Sequence, residues 1–139
     1  MATYTKYQKA VADIHTKKHD FANDTFKIAL TNRAPVVASD NVLLTAAEIA
    51  AGNGYTAGGE TVVIDSAAQV AGLFTLAVTT DVVFTAAGGS MGPFRYVVFY
   101  NSTPAGGLLI SYWDRGASLT LLDGEDFTVD VTDKLFEAT

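Results

Sequence analysis

A chain of 139 residues with a net charge of −6 and no cysteine has the length of one domain, so residues 1–139 are read as a single unit. The missing cysteines exclude disulfides, thiolate nucleophiles and cysteine-bound zinc. The acidic balance argues against nucleic-acid binding, which needs dense positive charge.

No apolar run approaches the roughly 18 residues of a membrane span, and MATYTKYQKA lacks the apolar core of a secretory signal. Neither a membrane nor a nucleic acid is therefore expected as a partner. The charge is unevenly placed. Residues 1–34 carry six cations (Lys6, Lys9, Lys17, Lys18, Lys27 and Arg33) against Asp13, Asp20 and Asp24, whereas the remainder carries three cations against twelve carboxylates. The basic front reads either as an ordinary solvated helix or as a surface for an acidic partner, such as another copy of the chain.

The N-terminal segment, residues 1–20, reads as a helix. Thr5 and Gln8 have the spacing of a capping box, and Tyr7, Ala10, Val11 and Ile14 fall on one stripe. Lys17 and Lys18 close its last turn, where positive charge suits the helix dipole. From Asp24 the period becomes two: Phe26, Ile28 and Leu30 alternate with Lys27, Ala29 and Thr31, a half-buried strand. Asn32 to Asn41 is a connection. Thr45 and Glu48 repeat the capping-box spacing before Ile49, predicting a short second helix that ends at Gly52.

The run GNGYTAGG (Gly52 to Gly59) lacks the Lys-Ser/Thr of a phosphate loop and does not open a helix, so it reads as a tight loop using positive φ. Strands follow at Thr61–Asp65, at Val70–Thr80 with a bend at Gly72, and at Val82–Thr85. The centre is Gly92 to Arg115. There Phe94, Tyr96, Val98 and Tyr100 occupy one parity and Val97 and Phe99 the other, then Leu108, Ile110 and Tyr112 face away from Leu109 and Trp113. Strands apolar on both parities are covered on both faces. Ser118–Leu122 and Phe127–Val131 flank Asp123-Gly124-Glu125-Asp126, a hairpin signal. About eight short strands predict a mainly β fold, an antiparallel β-sandwich or jelly roll over residues 24–132 with an N-terminal α-helix and a second short helix.

Candidate chemistry is sparse. His15 and His19 have helical i, i+4 spacing, but a third metal ligand is missing from any fixed motif. Asp123, Glu125 and Asp126 lack the pattern of a calcium loop. Asp114 beside Trp113 is the carboxylate for a hydrolase reading with a second, distant carboxylate. Arg95, alone among apolar strand residues, needs a carboxylate such as Asp114 or Asp65. No catalytic, cofactor or metal residue is assigned, and no cofactor is expected.

The segments DTFKIALTNRAP, AGNGYTAGGE, GPFRYVVFYN, LLISYWDRG and LLDGEDFTV occur in that order over Asp24 to Val131. Together they resemble a group of small virion structural proteins of tailed bacteriophages, including capsid decoration or cement proteins. The resemblance implies a non-enzymatic protein bound to the major capsid protein as a homotrimer, on the capsid surface of a virion assembled in the host cytoplasm. A tail or baseplate position is the alternative within the same group. Outside it, the alternatives are a carbohydrate-binding module with Tyr112 and Trp113 as an open platform, and the Asp114 hydrolase. From charge and position, Tyr4, Lys6, Tyr7 and Lys9 are the expected partner contacts.

Overall fold

The computed structural model describes residues 3–78, 80–130 and 136–138. In chain order the elements are β1 (Thr3–Lys6), α1 (Gln8–His15), β2 (Phe26–Thr31), α2 (Leu43–Ala46), β3 (Glu60–Val62), β4 (Ser66–Val70), β5 (Leu73–Ala77), β6 (Val82–Thr85), β7 (Met91–Asn101), β8 (Leu108–Leu121), β9 (Asp126–Val129) and β10 (Phe136–Ala138). The chain is thus mainly β, with antiparallel sheets and two helices. Five strands form the largest sheet in the order β1-β8-β7-β2-β3. Smaller sheets are β10-β5-β4 and the pair β6-β9.

The doubly apolar strands explain the layering. Phe26, Ile28, Leu30, Val97, Phe99 and Ile110 pack in one cluster with Leu76 and Val78 of the β5 segment, Val82 and Phe84 of β6, and Val129 of β9. On the opposite face Ala29, Val98, Tyr100 and Leu109 pack with Tyr7 and Ala10 at α1 and with Ala46 of α2. Phe21 stacks on Phe26 at 5.2 Å and Phe26 on Phe99 at 5.6 Å. Each fully buried side chain of this size contributes roughly 1.5–3 kcal/mol, so this row anchors the start of β2 to the C-terminal end of β7.

Several expectations are corrected. The first helix begins at Gln8, because Thr3–Lys6 instead adds an edge strand to β8 in the register Thr3↔Asp114 to Lys6↔Ser111. Its N-cap is Tyr7, with no side-chain cap, and the Tyr7 N–H donates to the Ile110 carbonyl at 2.9 Å. The helix ends at His15, and Lys17 turns the chain at φ 64. Its buried stripe contains Asp13, while Val11 stands exposed. In α2 the left-handed residue is Ala47 (φ 56), not Gly52.

Glu48 does not cap α2. It accepts from the Tyr55 hydroxyl at 2.6 Å and from the Gly58 N–H at 2.9 Å, while the Tyr100 hydroxyl donates to the Gly58 carbonyl at 2.6 Å. The GNGYTAGG run is therefore latched to the sheet. Burial, and then the hydrogen bond to Glu48, push the Tyr55 phenol above its usual range, and burial, and then the Glu48 charge, push the Tyr100 phenol to about 12, so both remain protonated donors.

The strand foreseen over Val70–Thr80 is broken at its bend: Val70 ends β4, Leu73–Ala77 is β5, and Thr79 lies outside the described residues. Ala71 (φ 52) and Gly72 (φ 84) make a two-residue turn, and β4 pairs with β5 from Ser66↔Ala77 to Val70↔Leu73. Ser118–Leu121 continues β8, which pairs with β7 across three register shifts. The expected Asp-Gly hairpin does not form. β9 pairs with β6, from Val82↔Val129 to Thr85↔Asp126, because Ala86 captures the turn: its N–H donates to the Glu125 carbonyl and its carbonyl accepts from Gly124 N–H. The foreseen strand's last residue, Val131, lies outside the described residues.

Candidate interaction surface

Edge strands present unpaired backbone groups, and proteins blunt them with charge, proline or bulges. β6 (Val82–Thr85), the partner of β9, is short and uncharged, but three other edges follow that rule: β1 carries Lys6, β3 carries Glu60 and β9 carries Asp126. Strand β4, an edge of its sheet, does not. The sequence from Ser66 to Thr80 holds no charged residue and no proline, and the β4–β5 register runs without a shift. Ser66, Ala68, Gln69 and Val70 are exposed, Val70 at 76%. Ala67 and Phe74 turn inward against the main core. The opposite parity, Ser66, Ala68 and Val70, is an uncharged surface of small-to-medium side chains, joined to a backbone edge that pairs with no strand beyond β5 among the described residues.

The expected contact residues separate. Lys6 and Lys9 are exposed. Tyr7 is fully buried, with its ring 5.4 Å from that of Tyr112, so it is removed from the candidate surface: it closes the core between α1 and β8. Tyr4 pairs with Trp113 through the backbone, and its side chain lies outside the described residues. Part of the basic front is already neutralised. Arg33 donates to both oxygens of Asp40 at 2.7 and 3.2 Å, and Lys18 Nζ lies 3.6 Å from buried Asp13.

Arg95 finds its partner in Asp114, donating through Nε at 2.8 Å and a terminal nitrogen at 3.1 Å. Those bonds, and one from the Gly116 N–H, hold the Asp114 carboxyl below the usual carboxylate range. A general acid in a glycosidase needs the opposite shift. Tyr112 and Trp113 lie on opposite faces of β8. Tyr112 packs beside the Tyr7 cluster, and Trp113 packs against the Phe26–Phe99 cluster, so the two do not form a common platform. Trp113, Arg115, Phe127 and Asp130 border a cleft of about 240 Å³, below the ~300–1,000 Å³ usual for small-molecule sites.

His15 is exposed on α1, whereas His19 is buried beyond the helix end, so the i, i+4 geometry is absent. The carboxylates of the 123–126 turn each accept a hydrogen bond: Asp123 from Gly88 N–H, Glu125 from Leu122 N–H and Asp126 from the Thr85 hydroxyl. Among the described residues no group of three or more histidine or carboxylate side chains is placed to hold a metal ion, and no helix is long and apolar enough to cross a membrane.

The β4 edge was missed in the sequence because a run of small residues has no hydrophobic period. The usable signal was Ala71-Gly72, a pair fit for a two-residue turn. Comparisons with protein-family models, with curated proteins and with solved structures give no match.

Proposed function

We propose that this chain is a non-enzymatic structural protein of a tailed-bacteriophage virion, a decoration or cement protein that binds the major capsid protein as a homotrimer. The observation that carries this reading is the uncharged β4 edge, which pairs with no strand beyond β5 among the described residues. An edge left unblunted favours burial by a protein neighbour. A three-fold ring joins unlike surfaces of adjacent copies, so β4 of one copy would meet a different strand edge of the next. The five sequence segments that resemble small phage virion proteins support the same reading. In it the smaller sheets and the five-stranded sheet are the two layers of a jelly-roll-like β-sandwich, since their side chains share one core.

The exposed Lys6 and Lys9 would face the shell. Each copy then adds a weak ionic hold, and assembly multiplies it. The test is cosedimentation with expanded phage shells stripped of the protein. Saturable binding is expected, and Lys6→Glu with Lys9→Glu should weaken it by about tenfold at low salt, with a flatter salt dependence. Binding to tail structures in place of shells would move the protein to the tail or baseplate. Absence of binding to any virion part would overturn the reading.

A further inference from the structure

We propose that His19, Asn101 and Asp24 form an acid-sensitive latch tying the segment after α1 to the end of β7. Asn101 is fully buried. Its side-chain oxygen accepts from the Thr103 N–H at 3.0 Å, which fixes the orientation of the amide. Its Nδ2 then donates to Asp24 Oδ2 at 2.6 Å and lies 3.2 Å from His19 Nδ1. Two hydrogens on Nδ2 meet two acceptors, so Nδ1 must bear a lone pair and the imidazole must be neutral, with its proton on Nε2.

Protonation of His19 sets an N–H against an NH₂ group. Rotating the Asn101 amide would restore that one contact. It would also leave the Thr103 N–H without its acceptor and turn the amide oxygen onto Asp24, acceptor to acceptor. Asp24 additionally accepts from the Asp20 N–H at 2.9 Å, so the disturbance reaches the whole 19–24 turn. His19 also lies 5.8 Å, ring to ring, from Phe21, the outer member of the aromatic row.

The surroundings favour the neutral ring. His19 is only 8% exposed. Burial lowers its affinity for a proton, the Asp13 carboxylate on α1 and Asp24 just before β2 oppose this, and Lys18 adds to it. Lys17 and Asp20 border the adjoining cleft, to which β4 and β5 contribute the uncharged Ala67 and Phe74. The net effect holds the folded value below the ordinary 6.5. The opened segment therefore binds the proton more readily than the closed one. Closure is complete above about pH 6.5 and weakens as pH falls, with the open population rising by up to about tenfold per pH unit until the folded value is reached.

The latch does not depend on the virion reading. Its test uses ¹⁵N-labelled full-length protein carrying His15→Gln, so that His19 is the single imidazole, from pH 8 to pH 5. At pH 8 the ring should show the Nε2–H tautomer. Below pH 6.5 the protection of the Thr103 and Asp20 amides, corrected for intrinsic exchange, should fall towards about tenfold per unit. Adding His19→Gln, whose side-chain oxygen accepts from Asn101 without titrating, should flatten that dependence. An Nδ1–H tautomer at pH 8, or protection unchanged between pH 6.5 and pH 5, overturns the proposal. So does an undiminished acid dependence in the His19→Gln protein. Should that variant fail to fold, the tautomer and the protection profile still decide.

Discussion

Gly59→Ala is expected to lower unfolding stability by about 2–5 kcal/mol, combining the ~1–2 kcal/mol strain of a left-handed residue with a ~1–3 kcal/mol overpacking cost. Gly59 has φ +79, and a methyl group there would overlap the Ile28 carbonyl and press on the Ala29 Cα. Both neighbours are backbone of β2, inside the largest sheet, so relief requires moving that strand away from β3 or β7. The displaced loop would also weaken the Glu48 bonds to Tyr55 and Gly58. Gly72→Ala is the matched control. Its φ is +84, yet nothing lies within 4 Å of the added methyl, so only the strain of about 1–2 kcal/mol remains. Urea unfolding of both variants measures the difference. Equal losses would show that Gly59 has no close neighbour and that the loop is not seated on β2.

Ala68→Lys is expected to weaken self-association by at least about tenfold, because charge brought into an apolar protein contact must be desolvated or repelled. Ala68 is exposed, pairs with Thr75 and lies at the centre of β4. A lysine there projects into solvent in the isolated chain, so the unfolding midpoint should stay close to that of the parent. Val70→Lys, at the 76% exposed end of the same parity, should act in the same direction. Ala68→Ser keeps the surface neutral and should preserve assembly. Sedimentation velocity over a range of concentrations reads all three. Unchanged association in both lysine variants would remove β4 from the interface.

The residues announced their local preferences more clearly than their partners. The central hairpin was legible because Tyr96 to Tyr100 and Leu108 to Tyr112 are apolar on both parities, which only a strand with two covers satisfies. Phe26, Ile28 and Leu30 were legible through their period of two, but the half-buried strand it predicts is covered on both faces, with Ala29 and Thr31 buried as well. The capping box at Thr5 and Gln8 misled because β8 offered Thr3–Lys6 a ladder, and tertiary pairing outranks a cap worth about 1 kcal/mol. Asp123-Gly124 signalled a reversal correctly, but a turn does not choose its strand's partner, and Ala86 led β9 to β6. Tyr7 lies both on the apolar stripe and within the basic stretch, and the structure follows the stripe, because the sheet face of Val98, Tyr100 and Leu109 needed a large side chain to cover it.

The candidate surface was less legible than the core. Alanine, serine and glutamine in β4 have no pattern that separates an exposed edge from a loop, and their meaning comes only from the pairing with β5. The His19–Asn101–Asp24 contact was hidden for a different reason. Its members are separated by 5 to 82 positions along the chain, and no spacing rule joins them. The i, i+4 relation of His15 and His19 was visible but empty, because α1 stops at His15.

Adhesion between copies through an uncharged edge is most directly tested by the mass of the purified wild-type chain in solution. Sedimentation equilibrium at neutral pH should give an assembled species of three times 14.7 kDa, which dissociates on dilution. A mass of 14.7 kDa that stays constant at every concentration would contradict it.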